Sequence, residues 1–365
     1  MRLLLWTALL FGAALLPAEP VAGQTPGRSK PQAPNPIAQI RAQIRQALVQ
    51  EEPERALELL KPWLIRAPED ASFHALHGEA FYALEQHEKA VEAFANAVKF
   101  DPTYKGKLFH YGRSLIALER GEAALEIFEA MIGSSEKFLQ VRGHFGAGLA
   151  WQSLGDDAKA LTSYESALQL EPKFLRATYR VALLEVAEGK DAAAIEKFDR
   201  VLANDPLHHG AAYNRALALG RVDRTDDSEK AWERYREVLE GKQKITLLRT
   251  RLRNNPQDFD AMIDLGSIHA HLGAHRKAVE WFSRAAQLAP FDPRPALGTV
   301  AGLRALGKGR DAENLCAMLL RRQPPIEELR APLIEMLEER GATEELKIWR
   351  PETPEETKNP AGGSQ

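Results

Sequence analysis

Residues 141–172 read VRGHFGAGLAWQSLGDDAKALTSYESALQLEP. Small and apolar side chains recur three and four apart on either side of Gly155, the pattern of two amphipathic helices joined by a tight turn. Pro172 ends the second helix, because it lacks an N–H and pushes the residue before it out of the α region. Gly148 lies inside the first helix, where it costs about 1 kcal/mol relative to alanine. Its presence implies close approach by the second helix, whose Ala160 and Tyr164 are the natural partners.

The same stretch repeats along the chain with a period of 34 residues. Pro68 and Pro102 are one period apart, as are Pro172 and Pro206, and Pro256, Pro290 and Pro324. Ala56, Ala90 and Ala124 form a second column; Ala160 and Ala194, and Ala278 and Ala312, keep the same step. Leu60, Phe94, Phe128, Tyr164 and Phe198 form a bulky column that resumes at Phe282. Gly155, Gly189, Gly273 and Gly307 mark the turns between paired helices. A helix pair of this size cannot bury its apolar face alone and must stack on its neighbours.

These columns resemble the tetratricopeptide repeat, with Leu-Gly or Leu-Ala at unit positions 7 and 8, an aromatic at 11, alanine at 20 and 27, an aromatic at 24 and proline at 32. Residues 141–172 carry Ala147, Gly148, Trp151, Ala160, Tyr164, Ala167 and Pro172 at those places. Residues 71–102 carry Gly78, Phe81, Ala90, Phe94, Ala97 and Pro102, and residues 259–290 carry Leu265, Gly266, Ala278, Phe282, Ala285 and Pro290. The resemblance implies an all-α superhelical solenoid of stacked antiparallel helix pairs. Eight units are expected, starting near residues 37, 71, 105, 141, 175, 209, 259 and 293.

Six of these units fill residues 37–241 and two fill 259–324. Between them, 242–258 is expected to be an irregular basic segment that interrupts the array. The unit at 209 is read as gaining three residues before Ala231, with a longer turn at residues 223–227. Val300 in the small column and Cys316 in the aromatic column predict looser packing near the end. Residues 325–349 suit capping helices.

The ends read differently. Met1-Arg2 and the apolar residues 3–16, followed by Val21-Ala22-Gly23, have the layout of a secretory signal peptide cleaved before Gln24. The apolar run is too short for a membrane span, which takes about 20 residues. Residues 24–36 form a proline-rich spacer and 350–365 a disordered tail. The expected compartment is therefore the exported one, periplasmic or secreted, in a bacterial envelope.

Composition narrows the function. A formal charge of −3 supplies no global field for nucleic acid. Cys316 is the only cysteine, which excludes an intramolecular disulfide and any thiolate-rich metal site. His269, His271 and His275 are not on one helix face, and His269 falls in a packing column, so neither metal nor cofactor is expected. Glu88, Glu92, Glu126 and Glu196 lie among lysines and arginines on helices and read as solvated surface. No phosphate-binding glycine loop or nucleophile setting occurs, and the chain is expected to be non-catalytic.

In the family, first helices line a concave groove through positions 2, 5, 6 and 9. The resemblance places Phe109, Phe145, Tyr179 and Tyr213 at position 5, Arg142 and Arg176 at 2, Arg180 and Asn214 at 6, and Arg113 at 9. Together they predict an aromatic and cationic strip for a protein or peptide partner of anionic character. The dicarboxylate clamp of chaperone-binding members needs lysine at 5 and asparagine at 9 of its first unit, where Phe109 and Arg113 stand. A secondary basic patch is Lys242, Lys244, Arg249, Arg251 and Arg253. The expected role is an interaction scaffold of the envelope; the alternative is a glycan-binding or substrate-presenting subunit serving an enzyme on another chain.

Overall fold

The computed structural model describes residues 36–350, and among the described residues the chain is helical throughout, with no strand. The signal peptide, the spacer up to residue 35 and the tail from 351 lie outside the described residues; Pro36 already opens the first helix. Successive helices pair as α1 (Pro36–Val49) with α2 (Pro53–Arg66), α3 (Ala71–Ala83) with α4 (His87–Phe100), and α5 (Phe109–Ala117) with α6 (Gly121–Ile132). Next come α7 (Lys137–Ser153) with α8 (Asp157–Leu170), α9 (Leu175–Ala187) with α10 (Asp191–Asn204), and α11 (His209–Arg221) with α12 (Thr225–Asn254). The series closes with α13 (Phe259–His271) and α14 (His275–Leu288), α15 (Pro293–Ala305) and α16 (Gly309–Arg321), and α17 (Arg330–Glu339) and α18 (Thr343–Trp349). Each helix packs on the next, giving an all-α solenoid.

The residues before the period prolines adopt the extended backbone that proline imposes, with φ/ψ of −143/101 at Asp101, −135/87 at Glu171 and −133/90 at Asn255. Inside each pair the turn depends on one left-handed residue. Glu51, Glu85, Glu119, Gly155, Gly189, Asp223, Gly273, Gly307 and Gly341 all have φ between 57° and 80°. Within each run of three they are spaced by 34 residues. Four are not glycine and bear a cost of about 1–2 kcal/mol each, which the surrounding packing sustains. Gly341 shows that the capping segment is a shortened ninth helix pair built on the same turn.

The packing columns work through direct contact. A Cβ on Gly78, Gly112, Gly148 or Gly266 would collide with the rings of Phe94, Phe128, Tyr164 and Phe282 respectively, all of which are buried. Burying each ring contributes about 2–3 kcal/mol. In the eighth pair the sizes are exchanged: Val300 is 3% exposed and Cys316 fully buried, so the larger residue has moved to the first helix.

Residues 242–254 are not irregular. They continue the second helix of the sixth pair, so α12 runs unbroken for 30 residues. Nor is the preceding turn longer: α11 ends at Arg221 and α12 begins at Thr225, as in the other pairs. The alanine column is occupied by Ser228, which is buried and donates from Oγ to the Ala216 carbonyl at 2.9 Å. Trp232 then takes the aromatic place and Tyr235 the next one.

The units at 209 and 259 begin 50 residues apart, 16 beyond the period. Sixteen helical residues advance about 24 Å and turn about 160° past four full turns, at 1.5 Å and 100° per residue. The last three pairs are therefore mounted farther along α12 and on its opposite side. They pack through Val238, Ile245 and Leu248 against Ala261, Leu265 and Leu272. Gly241 gives Leu272 room to cross α12, and Arg234 Nη2 donates to the Leu272 carbonyl at 2.5 Å.

Candidate functional site

The largest core cluster joins α5 through α9, from Phe109 to Leu184, and gives the first helices of three successive pairs a rigid bed. On that bed the position-5 aromatics divide. Phe109 and Phe145 are 3% and 6% exposed, their rings stacked 6.3 Å apart and packed on Phe128 and Tyr164. They are inter-repeat packing residues, out of reach of a ligand. Tyr179 is half-buried against His208, ring centroids 4.5 Å apart, and its hydroxyl receives Asn214 Nδ2 at 3.4 Å. Tyr213 is 41% exposed and meets Trp232 and Tyr235 edge-on at 5.3 and 5.5 Å. Tyr213, Trp232 and Tyr235 thus form one aromatic group drawn from α11 and α12.

The arginines stay at the surface of the strip. Arg113 holds its guanidinium 5.5 Å over the ring of Tyr82, and Arg142 lies 4.4 Å over Phe109 and 5.3 Å over Phe138. Burial lowers the Arg142 pKa, with Glu79 opposing that shift and Arg176 adding to it. Arg176 is exposed and Arg180 half-buried. None of the four forms an ion pair among the described residues. Arg251, Arg294, Arg304 and Arg340, by contrast, each hold a carboxylate at 2.8–3.2 Å.

The structure adds residues that the family positions 2, 5, 6 and 9 do not flag together. Glu79 Oε2 and His110 Nδ1 are 2.5 Å apart, and the imidazole stacks on Tyr82 at 4.3 Å. A pocket of about 280 Å³ is lined by Arg113, Ile116, Ala117, Leu149, Gln152 and Arg180, drawn from α5, α7 and α9. Gln152 and Ile116 stand about one helical turn beyond position 9 of their units.

The secondary basic patch separates into two faces, because successive helical residues turn by 100°. Lys242, Arg249 and Arg253 share one side of α12, where Lys242 Nζ is 2.8 Å from His209 Nδ1. Lys244 and Arg251 point to another side, and Arg251 is held by both oxygens of Asp258 at 2.9–3.2 Å. Among the described residues no group of three or more histidine, cysteine or acidic side chains could hold a metal ion. Burial pushes the Cys316 thiol up to about 11, which keeps it protonated and unreactive. No helix among the described residues is long and apolar enough to cross a membrane.

The tetratricopeptide repeat pattern matches residues 41–105, 145–209 and 245–293. No curated protein matches. Among solved structures, MamA (residues 41 to the end) from Desulfovibrio magneticus RS-1 is 22% identical over 45% of this chain and 92% of its own, with a TM-score of 0.40. The Cut9–Hcn1 hetero-tetramer structure of the APC/C is 13% identical over 74% of this chain and 50% of its own, with a TM-score of 0.47. PilW, a type IV pilus biogenesis factor, is 15% identical over 72% and 98%, with a TM-score of 0.42. The helix pairing, the 34-residue columns and the matched repeats together establish that the chain carries tetratricopeptide repeats stacked as an all-α solenoid.

Proposed function

We propose that the chain is a non-catalytic interaction scaffold of the cell envelope, which holds an anionic segment of a protein partner across α5, α7 and α9. The observation that carries this reading is the row Arg113, Arg142, Arg176 and Arg180, none of which pairs with a carboxylate among the described residues. Exposed ion pairs contribute little to folding, whereas a hydrogen bond to a charged partner contributes about 1.5–3 kcal/mol to binding. Tyr179, Asn214 and the exposed Tyr213 extend the surface toward the sixth pair. The signal-peptide layout of residues 1–23 supports the envelope assignment.

The test is capture from envelope extract by Arg176→Glu with Arg180→Glu. The controls are Arg200→Glu and Arg276→Glu, exposed on the second helices α10 and α14. Well over tenfold loss of the captured partner with unchanged melting is expected for the groove variant alone, and rising salt should give a milder loss. Retention of the partner by the groove variant would move the binding face elsewhere. A second reading, an envelope-glycan or accessory subunit, draws on the open faces of Tyr213 and Trp232; it gains ground if the captured species is a glycan.

A further inference from the structure

This inference rests on the groove reading and names what one part of the groove recognises. Arg113 and Arg180 bring hydrogen-bond donors to the pocket, and Tyr164 orients the amide of Gln152 beside them. Tyr164 is fully buried, and burial holds its pKa far above the ordinary tyrosine value, so the phenol keeps its proton. Its hydroxyl donates to Gln152 Oε1 at 2.6 Å. Were the amide reversed, the Tyr164 proton would have no acceptor among the described residues. The Gln152 oxygen is thus turned toward Tyr164, and its NH₂ group, which meets no acceptor among the described residues, is left for the pocket.

Arg113, Arg180 and Gln152 line the pocket together with the apolar Ile116, Ala117 and Leu149. Such a site suits an oxyanion on a short aliphatic stem. It sits partway along a strip running from Tyr82 to Asn214, so a bound segment continues past it on both sides. The geometry points to recognition of an internal glutamate side chain: its carboxylate between Arg113 and Arg180 with Gln152 donating, its methylenes on the apolar floor, and Tyr164 acting as the positioning residue that fixes the Gln152 amide.

The experiment titrates N-acetyl-glutamate α-amide into the full chain and follows the arginine Nε–H and glutamine NH₂ signals by nitrogen-15 NMR. N-acetyl-glutamine α-amide, N-acetyl-leucine and inorganic phosphate serve as comparison probes. The glutamate probe is expected to bind at least tenfold more tightly than the glutamine probe, moving the signals of Arg113, Arg180 and Gln152 together. Gln152→Glu should abolish that binding. Tyr164→Phe frees the amide to turn its oxygen inward, so the preference for glutamate over glutamine should fall about threefold or more while melting changes little. A purely structural role for Tyr164 would lower both affinities alike and leave the preference intact.

Equal binding of the glutamate and glutamine probes overturns the proposal, as does absence of signal change at Gln152. Tighter binding of N-acetyl-leucine would show a site for chain termini, and tighter binding of phosphate a site for phosphoryl groups; either result sinks the internal-glutamate reading. These outcomes are independent of capture by the Arg176 and Arg180 variant. Loss there with failure here rejects the pocket and leaves the groove standing.

Discussion

Replacing His269 with phenylalanine should remove a pH-dependent weakness from the seventh helix pair. His269 is 1% exposed, and neither ring nitrogen has a hydrogen-bond partner among the described residues. Burial, helped by the charges of Lys277 and Arg249, depresses its pKa from 6.5 to about 4. The sign follows directly: below pH 6.5 the unfolded chain takes up a proton that the folded chain refuses, so stability falls as pH drops toward 4 and levels off beneath it. At about 1.4 kcal/mol for each pH unit separating the two states, the loss between pH 7 and pH 4.5 comes to about 2.5 kcal/mol. An unpartnered buried polar group adds a cost of about 1–3 kcal/mol at every pH, which phenylalanine avoids. Urea unfolding of both proteins at pH 7 and pH 4.5 separates these contributions, since other groups such as His77, itself depressed to about 4, cancel in the difference. The variant should be at least as stable at pH 7 and lose about 2.5 kcal/mol less on acidification. Parallel losses in the two proteins would refute the argument.

Gly146→Ala should destabilise by about 1–3 kcal/mol despite alanine's better helix propensity, because the new Cβ would overlap the buried Phe128 ring; Gly309→Ala, with nothing within 4 Å of its Cβ, is the thermal-melting control and should be neutral. Glu85→Gly and Glu119→Gly, both at left-handed turn residues, should each raise stability by about 0.5–1 kcal/mol, and a fall in melting temperature would count against the turn argument. Hydrogen exchange should find the amides of Val238, Gly241, Ile245 and Leu248 slow and similar, as in one continuous helix; rapid exchange at 241–245 would restore the expected interruption. N-terminal sequencing of the native protein should begin at Gln24, and a retained Met1 would defeat the export reading.

The period was legible because proline, alanine and aromatic columns each answer a separate packing demand and all agree on 34 residues. The left-handed turn column was half hidden, since Glu85, Glu119 and Asp223 occupy it without the glycine that would announce it. The basic run from Lys242 misled in the other direction: read as an irregular interruption, it continues an intact helix, in which Gly241 serves the passage of Leu272. Ala231 similarly drew the sixth pair three residues out of register, while the true column residue, Ser228, satisfies its hydroxyl on the Ala216 carbonyl. On the first helices, the arginines could be placed from register alone. Which position-5 aromatics are covered could not, because Phe109, Phe145 and Tyr213 share one register and differ only in what packs above them. The role proposed for Gln152 depends on a hydrogen bond from a different helix, which spacing does not encode.

The length of α12 sets an orientation as well as a distance. Because each helical residue contributes about 100° of turn but only about 1.5 Å of travel, one residue added between Val238 and Ile245 would swing the last three helix pairs by more than a quarter revolution while barely moving them away. Removing seven residues is nearly two full turns; it would draw the two stacks about 10 Å closer with only about 20° of rotation. The connector behaves as an indexing shaft, with azimuth and separation adjustable almost independently by choosing which whole number of residues to add or remove. Solution scattering from such length variants would read the setting, and any partner that must touch both stacks at once would tolerate only the lengths that return them to the same bearing.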